Sequence, residues 1–162
     1  MTITTIILAA GKGTRMRSAF PKIMHKIADR SLLEHVYDMS KQLPDNRVKI
    51  VYGHGGELVR ESLNQLEATW IEQKQQLGTG HAVQQVTDQI GDADTVLILY
   101  GDVPLLKLTT VKILLANVND KSLGLLTVNL SDPKGYGRII RDSHGRVQKI
   151  VEEKDASNDE KL

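Results

Sequence analysis

Apolar and polar positions alternate along this chain in two rhythms. Ile3, Ile6, Ile7 and Leu8 form a short β-branched run that reaches Ala9, Ala10 and Gly11. That is the composition of a buried strand. Leu32, Val36, Met39 and Leu43 then recur at spacings of three and four, the period of one helical face. Residues 48–52 read as a second strand closed by Gly53, and Val59, Leu63 and Leu66 mark a second helix. Residues 69–72 are a short third strand, followed by a helix that begins near Thr79 and presents Ala82, Val86 and Ile90. Residues 95–100 form the clearest strand, an unbroken apolar run expected to be buried on both faces. Val111, Leu114, Leu115 and Val118 predict a fourth helix, with Thr109 or Thr110 as its N-cap.

Strand and helix in strict alternation predict an α/β fold, a mostly parallel sheet with helices on both faces. Ligands of such sheets bind beyond the carboxyl ends of the strands. The loops after Leu8, Tyr52, Glu72 and Tyr100 are therefore the candidate site. After Gly124 the pattern changes. Residues 124–129, 137–141 and 147–151 read as strands, Ser143-His144-Gly145 as a hairpin turn, and the three together as a small antiparallel extension. Residues 155–162 are polar.

A length of 162 residues suits one domain. Hydrophobic residues at 40% and charged residues at 25% leave enough apolar surface to bury a core. A formal net charge of +1 asks for neither nucleic acid nor an anionic membrane. Trp70 and the few tyrosines make no stacking platform for bases of a polynucleotide. Lys12, Arg15, Arg17, Lys22, Lys26 and Arg30 nevertheless cluster early, as a local phosphate site requires. The chain has no cysteine, which excludes disulfides, thiolate nucleophiles and zinc–cysteine sites and is compatible with the cytoplasm, the expected location. The first residues lack the basic start of a signal peptide. No stretch approaches the ~20 apolar residues of a membrane span, so no membrane insertion is expected.

Gly11-Lys12-Gly13-Thr14-Arg15 follows the first strand directly. Glycines let the backbone turn tightly and present its N–H groups to a ligand, and successive N–H groups can form an anion-binding concavity. The Arg15 guanidinium and, after Pro21, the Lys22 ammonium add charge suited to phosphate oxygens. The spacing is not that of a P-loop, and Met16 stands where a dinucleotide fingerprint needs its third glycine. A plain strand-to-helix turn with a solvated basic flank remains the other reading of the loop alone. Asp102, just past the strand at 95–100, is placed to face a ligand and suits magnesium, although Gly101-Asp102-Val103-Pro104 is also a good turn. Gln73 carries both an amide donor and a carbonyl acceptor, which can match the edge of uracil. Glu152 and Glu153 would point to opposite faces of a strand, one toward a pocket and one toward water.

The segment Leu8-Ala9-Ala10-Gly11-Lys12-Gly13-Thr14-Arg15-Met16, followed by Pro21-Lys22, resembles the signature of nucleotide-diphospho-sugar pyrophosphorylases. Three further segments narrow the resemblance: Gln75-Gln76-Leu77-Gly78-Thr79-Gly80-His81-Ala82, Leu99-Tyr100-Gly101-Asp102-Val103-Pro104-Leu105, and Tyr136-Gly137-Arg138-Ile139 with Ile150-Val151-Glu152-Glu153-Lys154-Asp155-Ala156. Together with Tyr52-Gly53-His54-Gly55-Gly56 they are similar to the uridylyltransferase half of the bifunctional bacterial N-acetylglucosamine-1-phosphate uridyltransferase/glucosamine-1-phosphate acetyltransferases. The resemblance covers nearly the whole chain.

It implies a Rossmann-like nucleotide-diphospho-sugar transferase fold and a reaction. UTP and N-acetylglucosamine 1-phosphate would give UDP-N-acetylglucosamine and pyrophosphate with Mg2+, feeding peptidoglycan and lipopolysaccharide synthesis. It also implies roles. Leu8, Ala9, Ala10 and Gly11 would contact the nucleotide, and Arg15 and Lys22 would hold the phosphates as the catalytic pair. Gln73 would read uracil with Gly78 and Thr79 beside it, and Asp102 would bind magnesium. Tyr100, Gly101, Gly137 and Glu152 would line the sugar and nucleotide pocket.

Two departures bear on those expectations. Ala28-Asp29-Arg30 stands where the family usually has a glycine in the middle. The family's domain also continues past this length with two asparagines for the sugar and the metal, and then a left-handed β-helix that carries acetyltransferase activity and forms homotrimers. The chain is thus expected to be a truncated uridyltransferase domain with impaired turnover. The competing readings are a sugar-1-phosphate nucleotidyltransferase of other base or sugar specificity, and a non-catalytic nucleotide-binding module.

Overall fold

A computed structural model describes residues 2–11, 20–53, 56–92 and 94–161. The chain divides into two compact units, Met1–Asp120 and Lys121–Leu162.

The first unit is built on β1 (Ile3–Ala9), whose seven residues are all buried. A hairpin of two short strands follows, β2 (Lys26–Ile27) and β3 (Arg30–Ser31), then α1 (Leu32–Lys41) and β4 (Asn46–Gly53). Next come α2 (Glu57–Ser62), β5 (Thr69–Gln73), α3 (Thr79–Gln84), β6 (Thr95–Tyr100) and α4 (Leu108–Ala116). The main sheet is four-stranded in the order β5-β4-β1-β6, and every pairing in it is parallel. The alternation of strand and helix thus yields the expected α/β sheet.

Its two faces carry separate apolar clusters. Ile3, Ile7 and Ala9 of β1 pack with Leu33 and Val36 of α1, Val59 of α2 and Val111 of α4. Ile6 and Leu8, on the opposite face of the same strand, pack with Val51, Ala82 of α3 and Val86. The period-two alternation of β1 therefore feeds helices on both sides. The connection from β5 to β6 crosses from one edge of the sheet to the other, which makes the gap between β1 and β6 the point where strand order reverses.

α1 begins with a capping box. Ser31 Oγ accepts from Glu34 N at 3.2 Å and Glu34 Oε2 accepts from Ser31 N at 2.7 Å. Such a cap contributes about 1 kcal/mol.

Several expectations are corrected. β6 is not buried on both faces: Val96, Ile98 and Tyr100 are 39%, 45% and 53% exposed while Leu97 and Leu99 are buried. The reason is its place at the end of the sheet, where the cluster around α3 reaches β1 and β4 and stops short of β6. The N-cap of α4 is Lys107 rather than Thr109 or Thr110, which lie inside the helix. α2 ends at Ser62, and Leu63 and Leu66 reach the core from the turns beyond it. α3 ends at Gln84 and a separate 3-10 turn, Thr87–Gln89, precedes the expected Ile90.

The second unit holds an antiparallel hairpin, β7 (Arg138–Arg141) and β8 (Val147–Val151), turned at Gly145 with φ +79°. This is the expected extension, lacking one strand. Residues 124–129 form no strand, because nothing among the described residues pairs with them. Apolar and β-branched residues specify a strand only where a partner completes the ladder. Among the described residues no helix is long and apolar enough to cross a membrane.

Candidate nucleotide site

The register of the sheet brings the expected residues to one rim. Ala9 lies level with Tyr52, Tyr52 with Glu72, Gly53 with Gln73, and Leu8 with Tyr100. The chain ends of β1, β4, β5 and β6 therefore meet where a parallel sheet binds its ligands.

Leu8 and Ala9 are buried at the end of β1, and Leu8 O accepts from Gly101 N at 2.9 Å. A Cβ on Gly101 would be crowded, 3.2 Å from Leu8 O and 3.4 Å from Leu33 Cδ1. Tyr100, beside it, is half exposed. Asp102 follows in the turn after β6, and its Oδ2 receives the Lys22 ammonium at 2.7 Å. Lys22 opens the 3-10 turn Lys22–Met24. Neither group is deeply buried, at 39% and 33% side-chain exposure, so both remain open to solvent and ligand.

Ala10 O accepts from Gln76 Nε2 at 2.8 Å. That bond depends on Gly53, since a Cβ there would stand 2.1 Å from Gln76 Nε2 and 2.8 Å from Ala10 O. Gln76 thus braces the carbonyl that precedes Gly11. Sequence reasoning missed this role, although Gln76 lies in a quoted motif and Gly53 closes a predicted strand. Gly11 is exposed. Lys12, Gly13, Thr14, Arg15 and Met16 lie outside the described residues, as do His54 and Gly55.

Gln73 is 2% exposed at the end of β5. Its Nε2 donates to Gly78 O at 3.1 Å and lies 2.9 Å from His81 Nδ1. Its Oε1 has no partner among the described residues. With Nε2 engaged by Gly78 O and beside His81 Nδ1, the oxygen is the unengaged end of the Gln73 amide. Gly78, with φ +107°, is the N-cap of α3, and Thr79 is the exposed first residue of that helix.

Gly137 and Glu152 belong to the second unit. A Cβ on Gly137 would stand 3.3 Å from Val151 O, so this glycine permits the close approach of β7 and β8. Glu152 and Glu153 follow β8 in a turn closed by Asp155 N and Ala156 N on Glu152 O, not on a strand. Glu153 accepts from Gly135 N, while Glu152 is exposed.

Among the described residues no group of three or more His, Asp or Glu side chains could hold a metal ion. Asp102 has one carboxylate oxygen already receiving a cationic group, the Lys22 ammonium. A single carboxylate completed by phosphate oxygens and water is an arrangement that magnesium accepts.

Residues 5–137 match the family model described as a MobA-like NTP transferase domain. The chain is 58% identical over 161 residues to the "Bifunctional protein GlmU" of Methylococcus capsulatus, covering 99% of this chain and 35% of that protein. It thus spans about a third of the length of the curated relative. Among solved structures, a UDP-glucose pyrophosphorylase complexed with UDP-glucose aligns with a TM-score of 0.65 at 20% identity over 94% of this chain and 69% of that one. Rv0371C of Mycobacterium tuberculosis, complexed with manganese, aligns with a TM-score of 0.60 at 18% identity over 72% of this chain and 59% of that one. At those identities the structures speak to the fold. The rim of β1 and β6, its Lys22–Asp102 pair and the family match converge on one assignment: this chain belongs to the MobA-like NTP transferase domains.

Proposed function

We propose that the chain binds UTP with a divalent cation, magnesium, and serves transfer of the uridylyl group to N-acetylglucosamine 1-phosphate, giving UDP-N-acetylglucosamine and pyrophosphate. The observation that carries this reading is the Lys22–Asp102 pair at the strand-order reversal between β1 and β6. There a cation and a carboxylate stand side by side, where a triphosphate and its metal would both be met.

The sugar-phosphate oxygen attacks the α-phosphorus in line, a new P–O bond forms, and the bond to the β-phosphate breaks with release of pyrophosphate. Attacker and target are both anions, so positioning and charge neutralisation supply the catalysis without a covalent nucleophile. Lys22 and Arg15 hold the phosphates. The backbone of Leu8, Ala9, Ala10 and Gly11 cradles the nucleotide, with the Ala10 carbonyl held by Gln76. Gln73 Oε1 accepts the N3–H of uracil, with Gly78 and Thr79 beside the ring, and Tyr100 and Gly101 border the sugar. Glu152, exposed in its turn, is suited to accept from sugar hydroxyls, and Gly137 keeps the role that the resemblance assigns. Asp102 would hold the cation, which when bound neutralises charge on the triphosphate.

Equilibrium binding of UTP, CTP, ATP and GTP, each with and without magnesium, tests the reading alongside pyrophosphate release with N-acetylglucosamine 1-phosphate. UTP should bind most tightly, and magnesium should strengthen it in the parent chain but not in Asp102→Asn. Equal affinity for all four triphosphates overturns the base assignment. Magnesium dependence that survives in Asp102→Asn overturns the metal assignment.

A further inference from the structure

His81, in the first turn of α3, lies between two side-chain amides. Gln73 Nε2 is 2.9 Å from His81 Nδ1, and Gln85 Nε2 is 3.3 Å from His81 Nε2. A neutral imidazole accepts at one nitrogen and donates at the other. Both contacts cannot be satisfied as acceptors, and the surroundings decide which one is.

Gln73 Nε2 is also 3.1 Å from Gly78 O, a group that can only accept. That carbonyl is fixed in turn by Ala82 N, which donates to it at 3.1 Å. The amide of Gln73 must therefore turn its nitrogen toward Gly78, and its second hydrogen points at His81 Nδ1. Nδ1 accepts, and the ring proton sits on Nε2. Gln85, which is less buried and also donates to His81 O at 3.1 Å, is the side chain that adjusts.

We infer that His81 is a positioning residue for base selection: its Nδ1 locks the Gln73 amide so that only Oε1 faces the nucleotide, which favours uracil over cytosine. This rests on the reading of Gln73 as the base contact. Uracil offers N3–H to that oxygen. Cytosine offers the lone pair of an unprotonated N3, so two acceptors would oppose each other. Without His81 the amide is held by Gly78 O alone, and turning it to present a donor to cytosine sacrifices a single hydrogen bond.

The experiment is a comparison of UTP and CTP affinity, with magnesium, for the parent chain, His81→Leu, His81→Asn and Gln73→Ala. Each variant is first matched to the parent by circular dichroism. His81→Leu should narrow the UTP-to-CTP ratio about tenfold, the effect of one lost net hydrogen bond. His81→Asn, which keeps an acceptor toward Gln73, should restore most of it. An unchanged ratio in folded His81→Leu overturns the inference. A UTP preference that survives Gln73→Ala instead overturns the reading beneath it. A long-range 1H–15N correlation spectrum of the labelled, nucleotide-free chain gives an independent answer. The Nε2–H tautomer of His81 supports the lock, and the Nδ1–H tautomer overturns it however weakly the chain binds nucleotide.

Discussion

Lys22 Nζ lies 2.7 Å from Asp102 Oδ2, an ion pair between residues 80 apart in sequence that ties the 3-10 turn Lys22–Met24 to the turn after β6. With about a third of each side chain exposed, such a pair contributes roughly 0–1 kcal/mol to stability. On the proposed reading the pair serves ligand binding rather than folding. Lys22→Ala is expected to change the unfolding free energy by less than about 1 kcal/mol. It should weaken triphosphate binding by about tenfold or more, because a charge-assisted phosphate contact is lost. Urea denaturation and equilibrium binding on the same protein separate the two effects. A loss of several kcal/mol with binding intact would make the pair a structural strut.

Gly53 is the point where β4 gives way to the rim, and the space of a single methyl group decides whether Gln76 can reach Ala10. In Gly53→Ala the new Cβ would stand 2.1 Å from Gln76 Nε2 and 2.8 Å from Ala10 O. The side chain can leave, but the carbonyl belongs to the backbone directly after β1 and cannot swing away as a side chain does. Overpacking of this kind costs about 1–3 kcal/mol. Gln76→Ala removes the brace without crowding and should cost about 1 kcal/mol. Both should weaken nucleotide binding, the first more than the second, and chemical denaturation with a UTP titration ranks them.

The turn between β2 and β3 holds Ala28 at φ +49° and Asp29 at φ +64°, two left-handed residues joining Ile27 to Arg30. This is the two-residue hairpin geometry that asparagine and glycine favour. A residue with a Cβ held in that region costs about 1–2 kcal/mol, and aspartate tolerates it better than alanine. Glycine would relieve the strain but would give back about 0.5–1 kcal/mol through the freedom of the unfolded chain. Ala28→Gly is therefore expected to stabilise the chain by roughly 0.5–1 kcal/mol. Asp29→Gly, the residue usual in the resembling family, should add less. Thermal melts of the two variants check the order. Destabilisation by Ala28→Gly would mean that another interaction holds the turn.

What the sequence makes legible is local. The unbroken β-branched run of β1 and the helical period of Leu32, Val36 and Met39 mark their elements because each carries its own periodicity. Ser31-x-x-Glu34 likewise contains the whole of its cap. Leu63 and Leu66 show the limit, since their spacing reports burial and they are buried, though not within a helix. The hairpin of β2 and β3 is too short for any period to reveal. Residues 124–129 have the composition of a strand, but pairing is decided by distant chain, and composition alone cannot supply a partner. The same divide runs through the site. Motif and position single out Gln73 and Asp102 as candidates, whereas their contacts, with His81 on one and Lys22 on the other, come from tertiary placement.

The second unit carries its own electrostatic clamp. The Glu160 carboxylate receives the Lys149 ammonium and, at 2.8 Å, Ser157 N, while Glu160 N donates to Ser157 Oγ at 3.3 Å. The hydrogen bond from Lys149, and then those from Ser157, lower the Glu160 pKa from 4.5 to about 2. A carboxyl whose folded pKa is depressed binds its proton more readily in the unfolded chain. The clamp's contribution is therefore fully present above about pH 4.5 and is lost as pH falls through about 2. Lys149 lies on β8, so the segment around Asp159–Lys161 should loosen from the hairpin across that window. Lys149→Met removes the largest cause and leaves the bond from Ser157 N. The Glu160 carboxyl should then titrate above its present midpoint but still below 4.5. Carboxyl carbon chemical shifts followed through an acid titration measure both midpoints, and an unmoved midpoint in Lys149→Met would show that Ser157 alone holds the charge.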